Sequence, residues 1–169
     1  TEVRCPTLPV IDVDAPIAVR GDAGTVLDAV GLERDEPMLR CTASIDVEGV
    51  GFRGGTEWFD FTAIDRDFGL LRIVDCAFDR VSAPAYAWGG GTVDHGPDRM
   101  EVERNLVSGF GSAPGTATAG GFLLAFHRWG SASVRDNVIT GVHQQGLRLG
   151  DQERGVRTYA DRSGLVCTG

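Results

Sequence analysis

Residues 133–150 read SVRDNVITGVHQQGLRLG, two short apolar alternations joined by a polar turn. In the first of them Asn137 lies between Val134 and Ile139, where a strand would normally place an apolar side chain. A lone asparagine counts against a strand, because asparagine is depleted in strands. The fold therefore depends on whether other parts of the chain repeat this pattern.

The same pattern, which we call the skeleton, recurs along the chain. Each copy starts with an apolar residue, has a variable position three residues later, and continues with further apolar residues. Five copies, which start 28, 26, 29 and 32 residues apart, begin at Val19, Val47, Ile73, Val102 and Val134. A second apolar alternation follows four of them, at Phe59/Phe61, Tyr86/Trp88, Phe122/Leu124 and Leu147/Leu149. Two-residue alternation repeated at this step predicts a parallel β-solenoid, in which each repeat makes one turn and equivalent strands stack.

Two other architectures fit the pattern less well. A βαβ fold needs helices with a period of 3.6 residues, and the best candidate, LDAVGLERDEPML at 27–39, is interrupted by Gly31 and Pro37. An antiparallel sandwich also has frequent short strands, but it would not keep one skeleton in register over four copies. We therefore expect an all-β chain.

Composition places the chain among folded globular proteins. Hydrophobic residues make up 42% and charged residues 24% of the 169 residues. We expect one β-helix domain over residues 1–169, with its clearest coils at 17–150, either complete or a fragment of a longer solenoid. The formal net charge is −8 and all 16 basic residues are arginine, which argues against nucleic acid as a partner.

Membrane spans and metal sites are not expected. No apolar run reaches the roughly 18 residues that a spanning helix needs. The four cysteines show no CxxC spacing, so a zinc site is not predicted and the cofactor stays unspecified; they are Cys5, Cys41, Cys76 and Cys167.

Several segments carry a family resemblance: PIAVRGDAGTVLDA (16–29), ASIDVEGVGFRG (43–54), VERNLVSG (102–109) and VRDNVITG (134–141). Over roughly residues 10–150 the chain resembles the right-handed parallel β-helix of the pectate-lyase-like superfamily, in particular the carbohydrate-binding and sugar-hydrolysing β-helix proteins. The resemblance implies a right-handed parallel β-helix of about five to six coils. It also implies an extracellular or cell-envelope location and a polysaccharide or other extended glycan as partner. Activity follows less directly, because one fold hosts many chemistries.

The repeat predicts rows of equivalent side chains along the solenoid. One inward row contains Val50, Cys76, Asn105 and Asn137. Buried asparagines are costly unless their amides are paired, and such folds stack them as ladders, so we expect Asn105 and Asn137 to be structural. Cys76 is expected to be a small buried filler.

Outward positions of the first strand carry alternating charges. One row contains Asp46, Arg72 and Glu101, and the next contains Arg20, Glu48, Val74, Glu103 and Arg135. We expect a solvated face on which opposite charges help to hold the register. The alternative is that Arg72 and its acidic neighbours bind a polymeric ligand.

Loops that follow the second alternation should line up along one edge. They hold carboxylates, histidines and arginines of the kind that an acidic-sugar lyase, an epimerase or a hydrolase needs for proton transfer and charge stabilisation. The candidate catalytic residues are Asp94, His95, His127 and Arg128. The candidate substrate-binding residues are Asp65, Asp67, Trp129, Arg148, Asp151 and Arg154. An exposed Trp129 would offer a surface on which a sugar ring stacks.

Two functional hypotheses follow from these features. The first is a secreted or envelope-associated lyase, epimerase or glycoside hydrolase that acts on an extended glycan. The second is a non-catalytic module of the same fold that binds glycan or protein, or that associates with itself through the solenoid ends.

Overall fold

The computed structural model describes residues 10–22, 24–30, 36–81, 83–87, 94–108, 120–126, 129–140, 145–149 and 166–168. At residues 120–121, 123, 145–149 and 166–168 the description is of the backbone alone. This part of the chain contains β-strands, turns and loops and no helix. The strands form three sheets.

Sheet 1 has six strands, which are β1 (Ile11–Val13), β4 (Leu39–Cys41), β7 (Glu57–Asp60), β10 (Ala83–Ala87), β13 (Gly120–Leu124) and β16 (Gln145–Leu149). Sheet 2 has five strands, which are β2 (Ile17–Arg20), β5 (Ile45–Glu48), β8 (Phe68–Val74), β11 (Pro97–Glu103) and β14 (Ser131–Arg135). Sheet 3 has six strands, which are β3 (Val26–Asp28), β6 (Gly51–Arg53), β9 (Ala77–Asp79), β12 (Leu106–Ser108), β15 (Val138–Thr140) and β17 (Val166–Thr168).

The order of these strands makes the chain a parallel β-solenoid, or β-helix. It visits sheets 1, 2 and 3 in turn, so that each strand pairs with the strand three places along the chain. Every pairing is parallel. From β2 to β14 the chain makes about four turns, and the five to six coils expected from the sequence correspond to the five or six strands of each sheet. The all-β solenoid prediction is confirmed.

The strand register confirms the inward rows. Val19 pairs with Val47, Val47 with Ile73, Ile73 with Val102, and Val102 with Val134. All but Val19 are fully buried. A second inward row on sheet 3 stacks the buried side chains of Phe52, Phe78, Val107 and Ile139, whereas Leu27, in register with Phe52, is 43% exposed. These rows form the core, because side chains that alternate along each strand recur at the same place in every coil.

The corner between sheets 2 and 3 turns within two residues in four coils, after β5, β8, β11 and β14; we call it the asparagine corner. Its first residue has a positive φ in four coils, at Gly49 (70°), Asp75 (55°), Arg104 (53°) and Asp136 (56°). Positive φ is uncommon for residues other than glycine, although Asp and Asn tolerate it. Neighbouring contacts must therefore stabilise this backbone conformation at Arg104.

The second residue of this corner supplies that restraint. Val50, Cys76, Asn105 and Asn137 are all buried in one row. The Cys76 backbone N–H donates to Asn105 Oδ1 at 2.9 Å, and Asn105 Nδ2 donates to the Ile73 carbonyl at 2.8 Å and to Asn137 Oδ1 at 3.0 Å. Asn137 Nδ2 donates to the Val102 carbonyl at 2.7 Å. The expected asparagine ladder is confirmed, and Asn137 belongs to the frame.

The outer face of sheet 2 is a network of ion pairs. Arg72 contacts Asp46 and Glu48 at 2.8 Å and Glu101 at 3.1 Å. Hydrogen bonding to Glu48 and Asp46 raises the pKa of Arg72. Arg20 also pairs with Asp46. Opposite charges therefore hold neighbouring strands in register here, as the sequence predicted.

The expectation of a solvated face is wrong at two positions of this sheet. Val74 is 1% exposed and Glu103 is 6% exposed. Contacts from Ser133, Arg104 and Arg135 surround the Glu103 carboxylate. Burial opposes ionisation of Glu103, but these hydrogen bonds and positive charges outweigh it and lower the pKa.

Candidate functional site

A second corner, between sheets 1 and 2, carries longer and more varied connections; we call it the loop corner. Its described residues are 14–16, 42–44, 61–67, 94–96, 125–126 and 129–130. The backbone links the loops to one another, since Phe68 N donates to the Gly96 carbonyl and Gly130 N to the Pro97 carbonyl, both at 3.1 Å. Three successive coils thus place their loops side by side.

Asp67 and His95 meet at this corner. Asp67 Oδ1 accepts a hydrogen bond from the Gly96 backbone N–H at 3.1 Å and lies 3.4 Å from His95 Nδ1. The Asp67 side chain is 47% exposed and that of His95 is 37% exposed. The loop of one coil therefore positions a carboxylate near the imidazole of the next. The imidazole is partly exposed, but its Nδ1 is buried and forms no hydrogen bond to the described residues.

Trp129 occupies the next coil at the same corner. It is half-buried and packs against the hydrophobic core. Its neighbour Gly130 approaches the preceding coil so closely that a Cβ atom there would lie 2.3 Å from the Asp98 carbonyl oxygen. Only glycine fits this contact. The contact positions Trp129 next to the preceding coil, which contains Gly96 and Pro97.

The other predicted site residues have different outcomes. Asp65 and Asp94 are exposed at the loop corner, in the same loops as Asp67 and His95. Arg148 lies within β16, in register with Leu123, so it belongs to sheet 1 and not to a loop. His127, Arg128, Asp151 and Arg154 lie outside the described residues.

A cluster of ionisable groups on sheet 1 was missed by the sequence analysis. Asp60 is 7% exposed and pairs in register with Tyr86. Burial raises the pKa of Glu57 to about 7, and the Asp60 charge adds to the effect. Burial, followed by the charges of Glu57 and Asp60, also raises the pKa of Tyr86. The 26-residue step between Asp60 and Tyr86 was the available signal, but burial of the two could not be inferred from it.

The Cys41 thiol beside this cluster is unreactive. Burial, with a further effect of the Asp60 charge, raises the pKa of Cys41 to about 12. Burial also raises the pKa of Cys76. Both are free cysteines that stay protonated at neutral pH, and since the thiolate is the nucleophile, neither is suited to catalysis.

The described residues contain no group of three or more His, Cys, Asp or Glu side chains arranged to hold a metal ion. In the same part of the chain no helix is long and apolar enough to cross a membrane. The fold and this corner define a parallel β-solenoid protein with a polar loop edge. No protein-family model matches the chain, and no curated protein or solved structure matches it.

Proposed function

We propose that the chain is a polysaccharide-active β-helix protein of the pectate-lyase-like kind, secreted or envelope-associated, that acts on an extended glycan at the loop corner. The observation that supports this proposal is that Asp67, His95 and Trp129 lie in the loops of three successive coils. Strands in a sheet are about 4.8 Å apart, so the three side chains follow one another along the axis at a spacing close to that of sugar units in a chain.

The Asp67–His95 pair supplies the proton transfer in this proposal. A carboxylate beside Nδ1 favours the tautomer that carries the proton on that nitrogen, which leaves Nε2 as the base. In a lyase His95 removes the proton from the sugar carbon next to a carboxyl group, the electron pair forms a carbon–carbon double bond, and the glycosidic oxygen leaves and takes a proton from water. In an epimerase the same carbon loses its proton to His95 and gains one from water on its opposite face. In a hydrolase the protonated imidazole delivers its proton to the glycosidic oxygen as its bond to the anomeric carbon breaks, and water adds to that carbon and gives up a proton. Trp129 contributes a ring face for stacking.

Turnover on a panel of uronate-containing and neutral polysaccharides tests the proposal. Ultraviolet absorbance detects the unsaturated product of a lyase, released reducing ends detect a hydrolase, and proton exchange with deuterated solvent detects an epimerase. We expect activity that His95→Ala abolishes and that Asp67→Asn lowers at least tenfold.

Asp136→Asn is the matched control, since it makes the same carboxylate-to-amide change at the asparagine corner, where Asp136 is exposed. It should leave turnover unchanged. Absence of turnover on every polysaccharide, or full activity in His95→Ala, would exclude this corner as a catalytic site.

A second candidate function, end-to-end assembly without catalysis, is supported by the first coil. Its strands β1, β2 and β3 each pair with one described strand, so each has an open edge within the described residues. Four apolar residues of this coil are strongly exposed; they are Ile11 (53%), Val26 (46%), Leu27 (43%) and Val30 (54%). An exposed apolar end with open edges favours addition of further strands.

Sedimentation velocity tests this alternative. End-to-end assembly gives elongated species whose length grows with concentration, because a head-to-tail contact does not close on itself. Val30→Asp should shorten them. Assemblies that persist unchanged in Val30→Asp would count against the solenoid end as the contact.

A further inference from the structure

The outer face of sheet 3 carries two rows of different character along the solenoid axis. In β3, β6, β9, β12 and β15 the first position forms an apolar row of Val26, Gly51, Ala77, Leu106 and Val138. The third position of the same strands forms a polar row of Asp28, Arg53, Asp79, Ser108 and Thr140. From β6 to β15 the middle position is buried in the core.

The apolar row is exposed. Leu106 is 48% exposed and Val138 is 38% exposed, and Ala77 is also exposed. On sheet 2, by contrast, the outward positions hold Arg72 and its carboxylate partners, which satisfy one another. Single exposed apolar residues are ordinary, but a row that continues over successive coils marks a surface for interaction.

We propose that this face packs against the same face of a second copy of the chain, related by a two-fold axis that runs parallel to the strands. Such an axis keeps the strand direction and reverses the solenoid axis. The apolar row of one protomer therefore lies on the apolar row of the other, and the polar row lies on the polar row. The contact closes on itself, as isologous dimers do.

Side-chain size supports this arrangement. On the four central strands β6, β9, β12 and β15 the row has small residues at Gly51 and Ala77 and larger ones at Leu106 and Val138. Reversal of the solenoid axis places Ala77 opposite Leu106 of the second copy and Gly51 opposite Val138. On these four strands each large side chain then faces a small one, which allows the sheets to interdigitate at the usual separation of about 10 Å.

Charge supports the same arrangement. Arg53 is ion-paired with Asp28 and Asp79 of its own chain. Under the same axis Arg53 faces Thr140 of the second copy and Asp79 faces Ser108, so that these two charged residues meet hydroxyl groups and no like charges. A two-fold axis along the solenoid would instead reverse the strands and place the apolar row on the polar row, with Ala77 against Asp79 and Leu106 against Ser108. The first arrangement avoids both like-charge contacts and burial of a charge against an apolar group.

The size of the face sets the strength of the contact. Six strands of three residues, at about 4.8 Å between strands and about 3.3 Å per residue, cover only a few hundred Å². A stable interface buries about 800 Å² per partner. The dimer is therefore weak, and it forms as the concentration rises from micromolar towards millimolar.

Sedimentation equilibrium over that concentration range tests the inference. The wild-type chain should show a monomer–dimer equilibrium, and Leu106→Asp should shift it at least tenfold towards monomer. Ala63→Asp, which introduces the same charge at an exposed position of the loop corner away from sheet 3, should leave this equilibrium unchanged. Circular dichroism of each variant confirms that the fold is retained, as expected for substitutions at exposed positions.

Exchanging the small and large side chains at positions 77 and 106 gives the sharper test. Ala77→Leu should weaken the dimer at least fivefold, because two leucines then meet, and the double variant Ala77→Leu/Leu106→Ala should restore it. A strengthened dimer in Ala77→Leu would overturn the proposed arrangement and indicate unspecific apolar association. A wild-type chain that stays monomeric throughout, or a dimer unaffected by Leu106→Asp, would overturn the interface itself.

Discussion

The two corners described above solve the same problem, turning the chain from one sheet to the next, in opposite ways. The asparagine corner uses two residues in every coil from Gly49 onward, with a positive φ at the first residue and a buried side chain at the second. The loop corner uses connections of different lengths, which carry exposed groups such as Asp67 and His95.

Within one coil, the asparagine corner stabilises the fold and the loop corner carries the exposed ionisable groups. A corner whose buried amides bond to each other and to the backbone tolerates little change, because each unpaired polar group costs free energy. A corner on the surface tolerates insertions, so it can acquire binding or catalytic groups while the frame keeps them in place. We therefore expect substitutions at the two corners to affect different properties.

The largest effect is expected from Asn105→Ala at the asparagine corner. The substitution removes the acceptor of the Cys76 N–H and the donor to the Ile73 carbonyl, both of them buried. Loss of these bonds should lower the free energy of unfolding by about 3 kcal/mol. Urea denaturation followed by circular dichroism measures the loss, and the exposed Asp136→Asn should change it by less than about 0.5 kcal/mol. A loss below about 1 kcal/mol in Asn105→Ala would show that the ladder does not hold this corner.

A smaller, pH-dependent effect is expected from Glu57→Gln, on the strand that leads into the loop corner. The pKa of Glu57 is raised from its ordinary 4.5 to about 7 in the folded chain, mainly by burial. Between these values the unfolded chain loses its proton first, so wild-type stability falls as pH rises from about 4.5 to 7 and then levels off.

Since glutamine stays neutral, Glu57→Gln should match the wild type near pH 4 and exceed it by about 2 kcal/mol near pH 8, after allowance for partial exposure. Unfolding free energies at the two pH values measure the difference. An equal difference at both values would mean that Glu57 does not titrate in this range.

The smallest effect is expected from Asp75→Asn on the outside of the asparagine corner. Both Asp75 oxygens accept hydrogen bonds of 2.7 Å from Arg104, and this pairing lowers the Asp75 pKa. The stabilisation is present above the ordinary carboxyl pKa and is lost as pH falls through the lowered one.

Both side chains of this pair are more than two-fifths exposed, so the substitution should cost only about 0.5 kcal/mol at low salt and less at high salt. Thermal unfolding at two salt concentrations measures it. A cost that does not change with salt would point to the backbone conformation of the turn, and not to the ion pair, as its source.

The repeat in the sequence was enough to predict the solenoid, its inward rows and the asparagine ladder. These features depend on equivalent positions one coil apart, which the spacing of Val102 and Val134, or of Asn105 and Asn137, gives directly. The ion pairs of Arg72 with Asp46 and Glu101 follow for the same reason, since neighbours on adjacent strands lie side by side.

Burial of polar groups was harder to predict. Glu103 is an outward residue by its position in the strand, yet side chains from two coils cover it. Glu57 and Asp60 flank the aromatic pair Trp58–Phe59 in EWFD, and their sequence gives no indication that a neighbouring strand removes water from them. At the loop corner the sequence suggested many candidates, and the described contacts join Asp67 with His95.

The shallow rise of the coil has a mechanical consequence. Each turn advances the axis by one strand spacing, about 4.8 Å, although the same residues span about 100 Å when extended. Under tension along the axis, each coil that opens therefore extends about twentyfold, so the solenoid can lengthen greatly without breaking a covalent bond. Ile17 and Val19 of the first coil are only partly buried, so opening under tension should begin at that coil.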